Sequence, residues 1–189
     1  MTTDGSAGDS DRDAGATLGA DPDRIAVTGT PGTGKTTATA ALADDVPVHR
    51  LNDLVTEHGL HAGRDEDRDT LYADLDAVAA HLGDWHGVAE SHLAHRLSVD
   101  RVVVLRCHPD ALRERLVERG EPEATAEENA ESEALDVVLS TAVRRHGADS
   151  VHEVDTTDRD PATVAERVEA VVRGDAEPAV GTVDFTSVL

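Results

Sequence analysis

Eight residues near the start of the chain, 29–36, restrict its possible folds more than any other feature of the sequence. They read Gly-Thr-Pro-Gly-Thr-Gly-Lys-Thr and match the pattern G-x-x-x-x-G-K-[ST] at every required position. The preceding segment Arg24–Thr28 is typical of a short buried strand, and the Ala-rich segment 37–43 is typical of a helix. A strand, a glycine-rich loop and a helix in this order predict a phosphate-binding loop.

The residues of this loop suit a nucleoside triphosphate. Gly32 and Gly34 permit backbone conformations in which successive N–H groups point toward an anion. A helix that begins at Lys35 adds the positive end of its dipole. We expect the Lys35 ammonium to contact the β- and γ-phosphates and the Thr36 hydroxyl to hold Mg²⁺. The alternative, a glycine-rich turn without a ligand, is disfavoured by the strand and helix on either side.

The composition of the chain limits the kinds of molecule that the protein can bind. The chain has 17 Lys and Arg against 39 Asp and Glu, a net charge of -22, so DNA and anionic membranes are repelled. The low aromatic content of 2% and the near absence of lysine are typical of a cytoplasmic protein of an extreme halophile, where molar salt screens charges within roughly 3 Å. The single cysteine rules out a disulfide framework, and no apolar run reaches the roughly 18 residues of a membrane span.

Hydrophobic periodicity predicts one α/β domain at 24–189, preceded by a disordered acidic tail at 1–23. Five short strands alternate with helices, which predicts a doubly wound, five-stranded parallel sheet. The predicted strands are 24–28, 46–49, 87–90, 101–106 and 151–155.

The sequence also predicts the structure of three other segments. The charged stretch 60–74 is expected to be a solvated loop or a lid over a second substrate, with Arg64 and Arg68 as its cations. The polar stretch 119–124 is short enough for a mobile lid. Apolar spacing across 126–146 predicts one long helix.

An acid-x-His sequence follows the predicted third strand. Glu90 ends that strand, where related folds place the carboxylate that holds Mg²⁺ through water, and His92 lies two residues later. Asp84 and His86 form a second acid-x-His sequence slightly earlier. The apolar residues that lead directly into Glu90 favour the later pair, and both alternatives remain open.

Several motifs occur together along the chain. They are the loop at 29–36, LNDL at 51–54, DEDRD at 65–69, ESHLAH at 90–95, LRCHP at 105–109 and Arg-Gly at 119–120, with further matches at 131–137, 152–157 and 181–185. This combination resembles the small archaeal adenylate kinases. Their eukaryotic relatives are nuclear and act both as adenylate kinase and as an ATPase in maturation of the small ribosomal subunit.

The resemblance implies a P-loop NTPase of the nucleoside monophosphate kinase type, with an NMP-binding segment at about 52–75 and a short lid at about 118–128. It implies transfer of the ATP γ-phosphate to AMP or another NMP, with Mg²⁺ as cofactor. It further implies ATPase activity and, as partners, a small-subunit ribosomal protein and the pre-30S particle. The main alternative is a ribosome-assembly ATPase whose kinase activity is incidental. A GTPase-type regulator is disfavoured, because the chain has no Asn-Lys-x-Asp element.

The predicted site residues follow from the loop and from the resemblance. For ATP they are Gly32, Gly34, Lys35, Thr36, Thr37, Arg119 and Arg159, and for the NMP they are Asn52, Arg64 and Arg68. The catalytic set is Lys35, Arg119, Glu90 and His92, and the metal set is Thr36 with Glu90 through water. Arg64 and Glu121 stand where relatives usually carry tyrosines.

Overall fold

The computed structural model describes residues 23–65 and 70–186. Arg68 and nearly all of the predicted tail at 1–23 lie outside these residues. In chain order the strands are β1 (Arg24–Thr28), β2 (Val48–Arg50), β3 (His61–Asp65), β4 (Thr70–Ala73), β5 (Gly87–Glu90), β6 (Arg101–Arg106) and β7 (Val151–Asp155). The helices are α1 (Lys35–Ala40), α2 (Leu51–His58), α3 (Leu75–Leu82), α4 (Pro109–Glu118), α5 (Glu123–Ala134), α6 (Val137–His146) and α7 (Pro161–Arg173).

The main sheet has the strand order β2-β5-β1-β6-β7, and every neighbouring pair is parallel. The prediction of a five-stranded parallel sheet is therefore confirmed, although β2 begins two residues later than predicted. The chain returns to one side of β1 for β5 and to the other side for β6. Ligands of such sheets bind outside the carboxyl ends of the strands at this switch point, and the loop 29–34 lies there.

Apolar side chains on both faces of the sheet explain the uninterrupted Val-rich run in β6. Val102 and Val104 face the layer formed by α2, α3 and α6, whereas Val103 and Leu105 face α1 and α7. All four residues are completely buried. A central parallel strand needs apolar residues at successive positions because helices cover it on both sides.

The stretch at 60–74 is not simply a solvated loop. It contains an antiparallel hairpin in which β3 pairs with β4. Leu71 and Ala73 pack against the apolar layer beneath, while Thr70 and Tyr72 face outward. The period of two was hidden by the many charged residues between the strands, so composition alone suggested a loop.

The single helix predicted at 126–146 is also wrong. α5 ends at Ala134 and α6 begins at Val137, because Asp136 between them has a left-handed backbone with φ 53°. Arg106 donates hydrogen bonds to the side chain of Asp136 and to the backbone oxygen of Glu133. This buried arginine holds the break, and apolar spacing does not reveal it.

The C-terminal segment lies along the outer edge of the sheet. The Glu153 N–H of β7 donates to Ala179 O at 2.8 Å, and the Ala179 N–H donates to Val151 O at 3.2 Å. The Glu153 carboxylate accepts a further bond from the Thr182 N–H at 2.7 Å. The segment thus covers part of an otherwise open strand edge.

Cys107, the residue that follows β6, is fully buried. No helix in the described part of the chain is long and apolar enough to cross a membrane.

Gly87 provides a test of this packing. Its φ is 91°, and an added Cβ would lie 2.4 Å from Pro47 O, the atom that accepts the Val88 N–H between β2 and β5. Gly147 has a similar φ of 81°, but an added Cβ meets no described atom within 4 Å. Gly147 has ψ 152°, a combination that is nearly restricted to glycine, so we expect Gly147→Ala to lose about 1–3 kcal/mol of unfolding free energy from backbone strain alone. Gly87→Ala should lose clearly more, because the contact with Pro47 O adds to the strain.

Urea unfolding in molar KCl measures both values. Equal losses in the two variants would show that the close approach of Pro47 to Gly87 contributes nothing to stability.

Candidate active site

The glycine-rich loop forms a close turn between β1 and α1. Gly29, Gly32 and Gly34 have φ values of 142°, 91° and 94°. A Cβ on Gly29 would lie 2.4 Å from Leu105 O, and one on Gly32 would lie 2.8 Å from the Cδ1 atom of Leu112. Glycine is needed at these two positions both for the backbone conformation and for the close approach of neighbouring elements.

Lys35, the first residue of α1, is the only lysine in the 189 residues. Its side chain is buried, and Nζ donates hydrogen bonds to Gly29 O at 2.9 Å and Thr30 O at 3.0 Å. Burial lowers the pKa of Lys35 to about 8, although the nearby carboxylates of Glu90 and Glu133 raise it. The ammonium is therefore mostly charged at neutral pH, and an anionic ligand would favour the charged form further.

A cleft of about 480 Å³ opens beside this loop, a size that suits a small-molecule ligand. The loop itself, the end of α4 and the segment 156–161 form its walls. All seven residues predicted to bind ATP line it: Gly32, Gly34, Lys35, Thr36, Thr37, Arg119 and Arg159. The structure thus brings together residues that are up to 127 positions apart in the sequence (159 minus 32).

Arg115 also lines the cleft, and sequence reasoning missed it. Its guanidinium donates to Thr156 O at 2.9 Å and to Thr156 Oγ1 at 3.3 Å, which connects α4 to the segment after β7. The spacing of four residues from Arg119 was the available signal, because such pairs share a helix face. Three arginines and the lysine therefore surround one cleft in a protein of net charge -22.

The two residues predicted to hold Mg²⁺, Thr36 and Glu90, lie next to each other beside the loop. The Thr36 hydroxyl donates to Glu90 Oε1 at 3.3 Å, and Glu90 is only 7% exposed at the end of β5. A hydroxyl and a carboxylate supply the hard oxygen atoms that Mg²⁺ prefers, and Mg²⁺ commonly keeps several waters and binds substrate phosphates. These residues fit Mg²⁺ bound by Thr36, with Glu90 as a water-mediated ligand.

The two acid-x-His sequences lie at opposite ends of the sheet. Asp84 is fully exposed and pairs with Arg24 at 2.7 Å, at the end of β1 remote from the loop. His92 follows Glu90 near the loop, where partial desolvation and the Lys35 ammonium lower its pKa. The geometry favours the Glu90 and His92 pair.

The residues predicted to bind the acceptor nucleotide are less closely grouped than those predicted to bind ATP. Asn52 in the first turn of α2 accepts a hydrogen bond from the Ser91 hydroxyl at 3.2 Å, which connects it to the loop after Glu90. Arg64 lies on β3 of the hairpin and does not line the cleft. Arg68 is outside the described residues.

A buried ion network supports the loop from below. Arg106 at the end of β6 is 1% exposed, and its Nε donates to Glu133 Oε1 at 2.6 Å. The other carboxylate oxygen of Glu133 accepts from the Thr30 hydroxyl. Burial lowers the pKa of Arg106, but Glu133 and two further carboxylates raise it above its ordinary value. Glu133 therefore joins the phosphate-binding loop to α5, the helix whose first residues lie in the predicted lid.

Comparison with known proteins now identifies the family. A family model described as "AAA domain" matches residues 25–136. A protein of Natronomonas pharaonis is 64% identical over 164 residues, which are 86% of this chain and 98% of the relative. A protein of Halobacterium salinarum is 56% identical over 165 residues, again 86% and 98%. Both carry the name "putative adenylate kinase".

The chain belongs to this archaeal adenylate kinase family. Among solved structures, the shikimate kinase of Bacteroides thetaiotaomicron aligns with a TM-score of 0.52 at 19% identity, over 80% of this chain and 98% of that one. At this identity the likeness concerns the fold alone. This likeness supports the α/β fold found for this member of the adenylate kinase family.

Lys35 gives a prediction for proton uptake. Because its pKa is about 8 in the free protein, half of the molecules carry a neutral amine at pH 8. Bound phosphates would raise this pKa. At pH 8, ATP binding to the wild type should therefore take up about half a proton more than ATP binding to Lys35→Arg, which stays charged and is the control. At pH 6 the two proteins should take up nearly the same number of protons, because only the phosphates of ATP still titrate there. Calorimetry in two buffers of different ionisation enthalpy measures the uptake, and equal values for the two proteins at pH 8 would contradict the assignment.

Glu133 gives a prediction for stability. Removing it leaves the Arg106 guanidinium buried without its main partner, so Glu133→Ala should lose about 3–5 kcal/mol of unfolding free energy. Glu131 is exposed on the same helix, and Glu131→Ala should change stability by less than about 0.5 kcal/mol. Similar urea midpoints for the two variants would show that the network is not stabilising.

Proposed function

We propose that this protein is an adenylate kinase, which transfers the γ-phosphate of ATP to AMP and produces two ADP, with other nucleoside monophosphates as further acceptors. The observation that carries the proposal is the cationic cleft around Lys35, with Thr36 and Glu90 at its inner end. The names of the archaeal relatives support AMP as acceptor.

The residues of the cleft would act by position and charge. Lys35 would leave the carbonyl oxygens of Gly29 and Thr30 and contact the β- and γ-phosphates. Arg119 begins the turn between α4 and α5 and would contact the transferred phosphoryl group when this turn closes. When bound, Mg²⁺ supplies positive charge that offsets the charge on the β- and γ-phosphates.

The reaction requires no covalent intermediate on the protein. An oxygen of the AMP phosphate forms a bond to the γ-phosphorus, and the bond from that phosphorus to the β–γ bridging oxygen breaks, which releases ADP. The acceptor oxygen is already ionised near neutral pH, so no general base is needed. The protein must align the two nucleotides and exclude water, which would otherwise accept the phosphoryl group.

Arg119 is the sharpest single test of this mechanism. Arginines that contact a transferred phosphoryl group are worth about 10³–10⁵ in rate, so Arg119→Ala should lower turnover with AMP by at least about tenfold. Arg173 at the end of α7, paired with Glu169 at 2.8 Å, serves as control, and Arg173→Ala should keep normal turnover. A loss of less than twofold in Arg119→Ala would contradict the proposed role.

The activity itself is measured with Mg·ATP in molar KCl, with and without AMP, while ADP and free phosphate are followed separately. Two ADP per ATP with little free phosphate would establish the kinase, and Lys35→Met provides the blank. Phosphate release that does not depend on AMP would instead identify an ATPase.

The ATPase activity and the role in late maturation of the small ribosomal subunit remain predictions from the family resemblance. An acidic protein of net charge -22 would suit a basic ribosomal protein as partner. Co-purification with a small-subunit ribosomal protein, reversed by ATP, would favour this role. A cytoplasmic location likewise remains a prediction.

A further inference from the structure

We propose that Arg50 binds the phosphate group of the acceptor nucleotide. The inference rests on the proposed kinase function and assigns its acceptor subsite to a residue outside the motifs of the sequence. Arg50 is the last residue of β2, and no earlier expectation included it.

The position of Arg50 follows from the sheet. Arg50 pairs in register with Glu90 on the neighbouring strand, so both residues reach the carboxyl edge together. Arg50 Nε lies 3.8 Å from Glu90 Oε2, while the other oxygen of Glu90 accepts from the Thr36 hydroxyl at 3.3 Å. The guanidinium therefore approaches the same carboxylate as the phosphate-binding loop, through the opposite oxygen.

The strand order separates a donor side from an acceptor side. The cleft residues of α4 and of the segment 156–161 follow β6 and β7, on one side of β1. Arg50 and Glu90 end β2 and β5, on the other side. In-line transfer places the attacking oxygen opposite the leaving group. Since ADP leaves on the donor side, the acceptor phosphate must approach from the side of β5 and β2.

The charges at this junction require a cation. Glu90 is negative and only 7% exposed, and both the acceptor phosphate and the γ-phosphate are anions. Without a positive group, the acceptor phosphate would be repelled by all of them and by the excess of acidic residues in the chain. Lys35, Arg119 and the Mg²⁺ that Thr36 would hold are all placed toward the phosphates of the donor.

Arg50 is free to supply this charge. Its side chain is 40% exposed, and no described residue accepts a hydrogen bond from its two terminal nitrogens. A guanidinium binds phosphate through two parallel hydrogen bonds, which also fixes the orientation of the ligand. Arg64, the described arginine of the predicted NMP segment, lies on strand β3 of the hairpin and does not line the cleft.

The competing explanation is that Arg50 only positions Glu90. The two roles differ in what they predict. A ligand of the acceptor changes AMP binding even without ATP and metal, whereas a positioning residue changes turnover and metal dependence and leaves AMP affinity unchanged.

The test compares Arg50→Met and Arg50→Lys with the wild-type protein in molar KCl. Titration calorimetry measures AMP affinity in the absence of ATP and Mg²⁺, and steady-state kinetics gives KM for AMP, KM for ATP and kcat. We expect Arg50→Met to raise the Kd and the KM for AMP about 10- to 100-fold, with KM for ATP changed less than twofold. Arg50→Lys should recover part of the lost AMP affinity, because lysine restores the positive charge but cannot form the two parallel hydrogen bonds of a guanidinium.

Arg173 provides the matched control. Its side chain is 44% exposed and pairs with Glu169 on α7, remote from the cleft, so Arg173→Met should keep wild-type AMP affinity. Wild-type protein that fails to phosphorylate AMP would overturn the proposed function as a whole. Wild-type activity together with unchanged AMP affinity in Arg50→Met would overturn only the assignment of Arg50. If Arg50→Met weakens ATP and AMP binding equally and also lowers the melting temperature, the role of Arg50 is structural. That result would also overturn the assignment.

Discussion

The buried ion network of Arg106 is the interaction on which the arrangement of the site depends. It joins the end of the inner strand β6 to Glu133, to Asp136 at the helix break and to Glu153 on the edge strand β7. Glu133 in turn holds Thr30 in the phosphate-binding loop. A buried arginine is costly unless each of its donors finds a partner. The elements that supply these partners are therefore fixed relative to one another.

The same network reaches the C-terminal segment. Glu153 accepts from the Thr182 backbone, and the Phe185 ring lies 5.3 Å from the Arg106 guanidinium. Arg106 therefore stabilises two features at once: the C-terminal segment on the edge of the sheet and the phosphate-binding loop.

Much of the fold and of the donor side could be predicted from the sequence, because local patterns determine them. The loop glycines and the Val-rich run of β6 each carry their own signal. The hairpin and the helix break could not be predicted, since charged residues masked the first and a tertiary contact of Arg106 imposes the second. Arg50 was missed for a similar reason, because its charged neighbour Glu90 lies on another strand and no sequence pattern connects the two. Arg115 could have been found from its four-residue spacing to Arg119.

The single lysine has a practical consequence for chemistry on this protein. Amine-directed reagents react with the unprotonated form, and a pKa of about 8 makes that form far more abundant at mildly alkaline pH than in an ordinary lysine. The only lysine side chain in the sequence is the one that faces the cleft. Acylation of lysine would therefore report one position. Peptide mass analysis would separate it from acylation of the N-terminal amine, whose ordinary pKa of about 8 is similar, and protection of Lys35 by a bound molecule would report how many clefts are occupied.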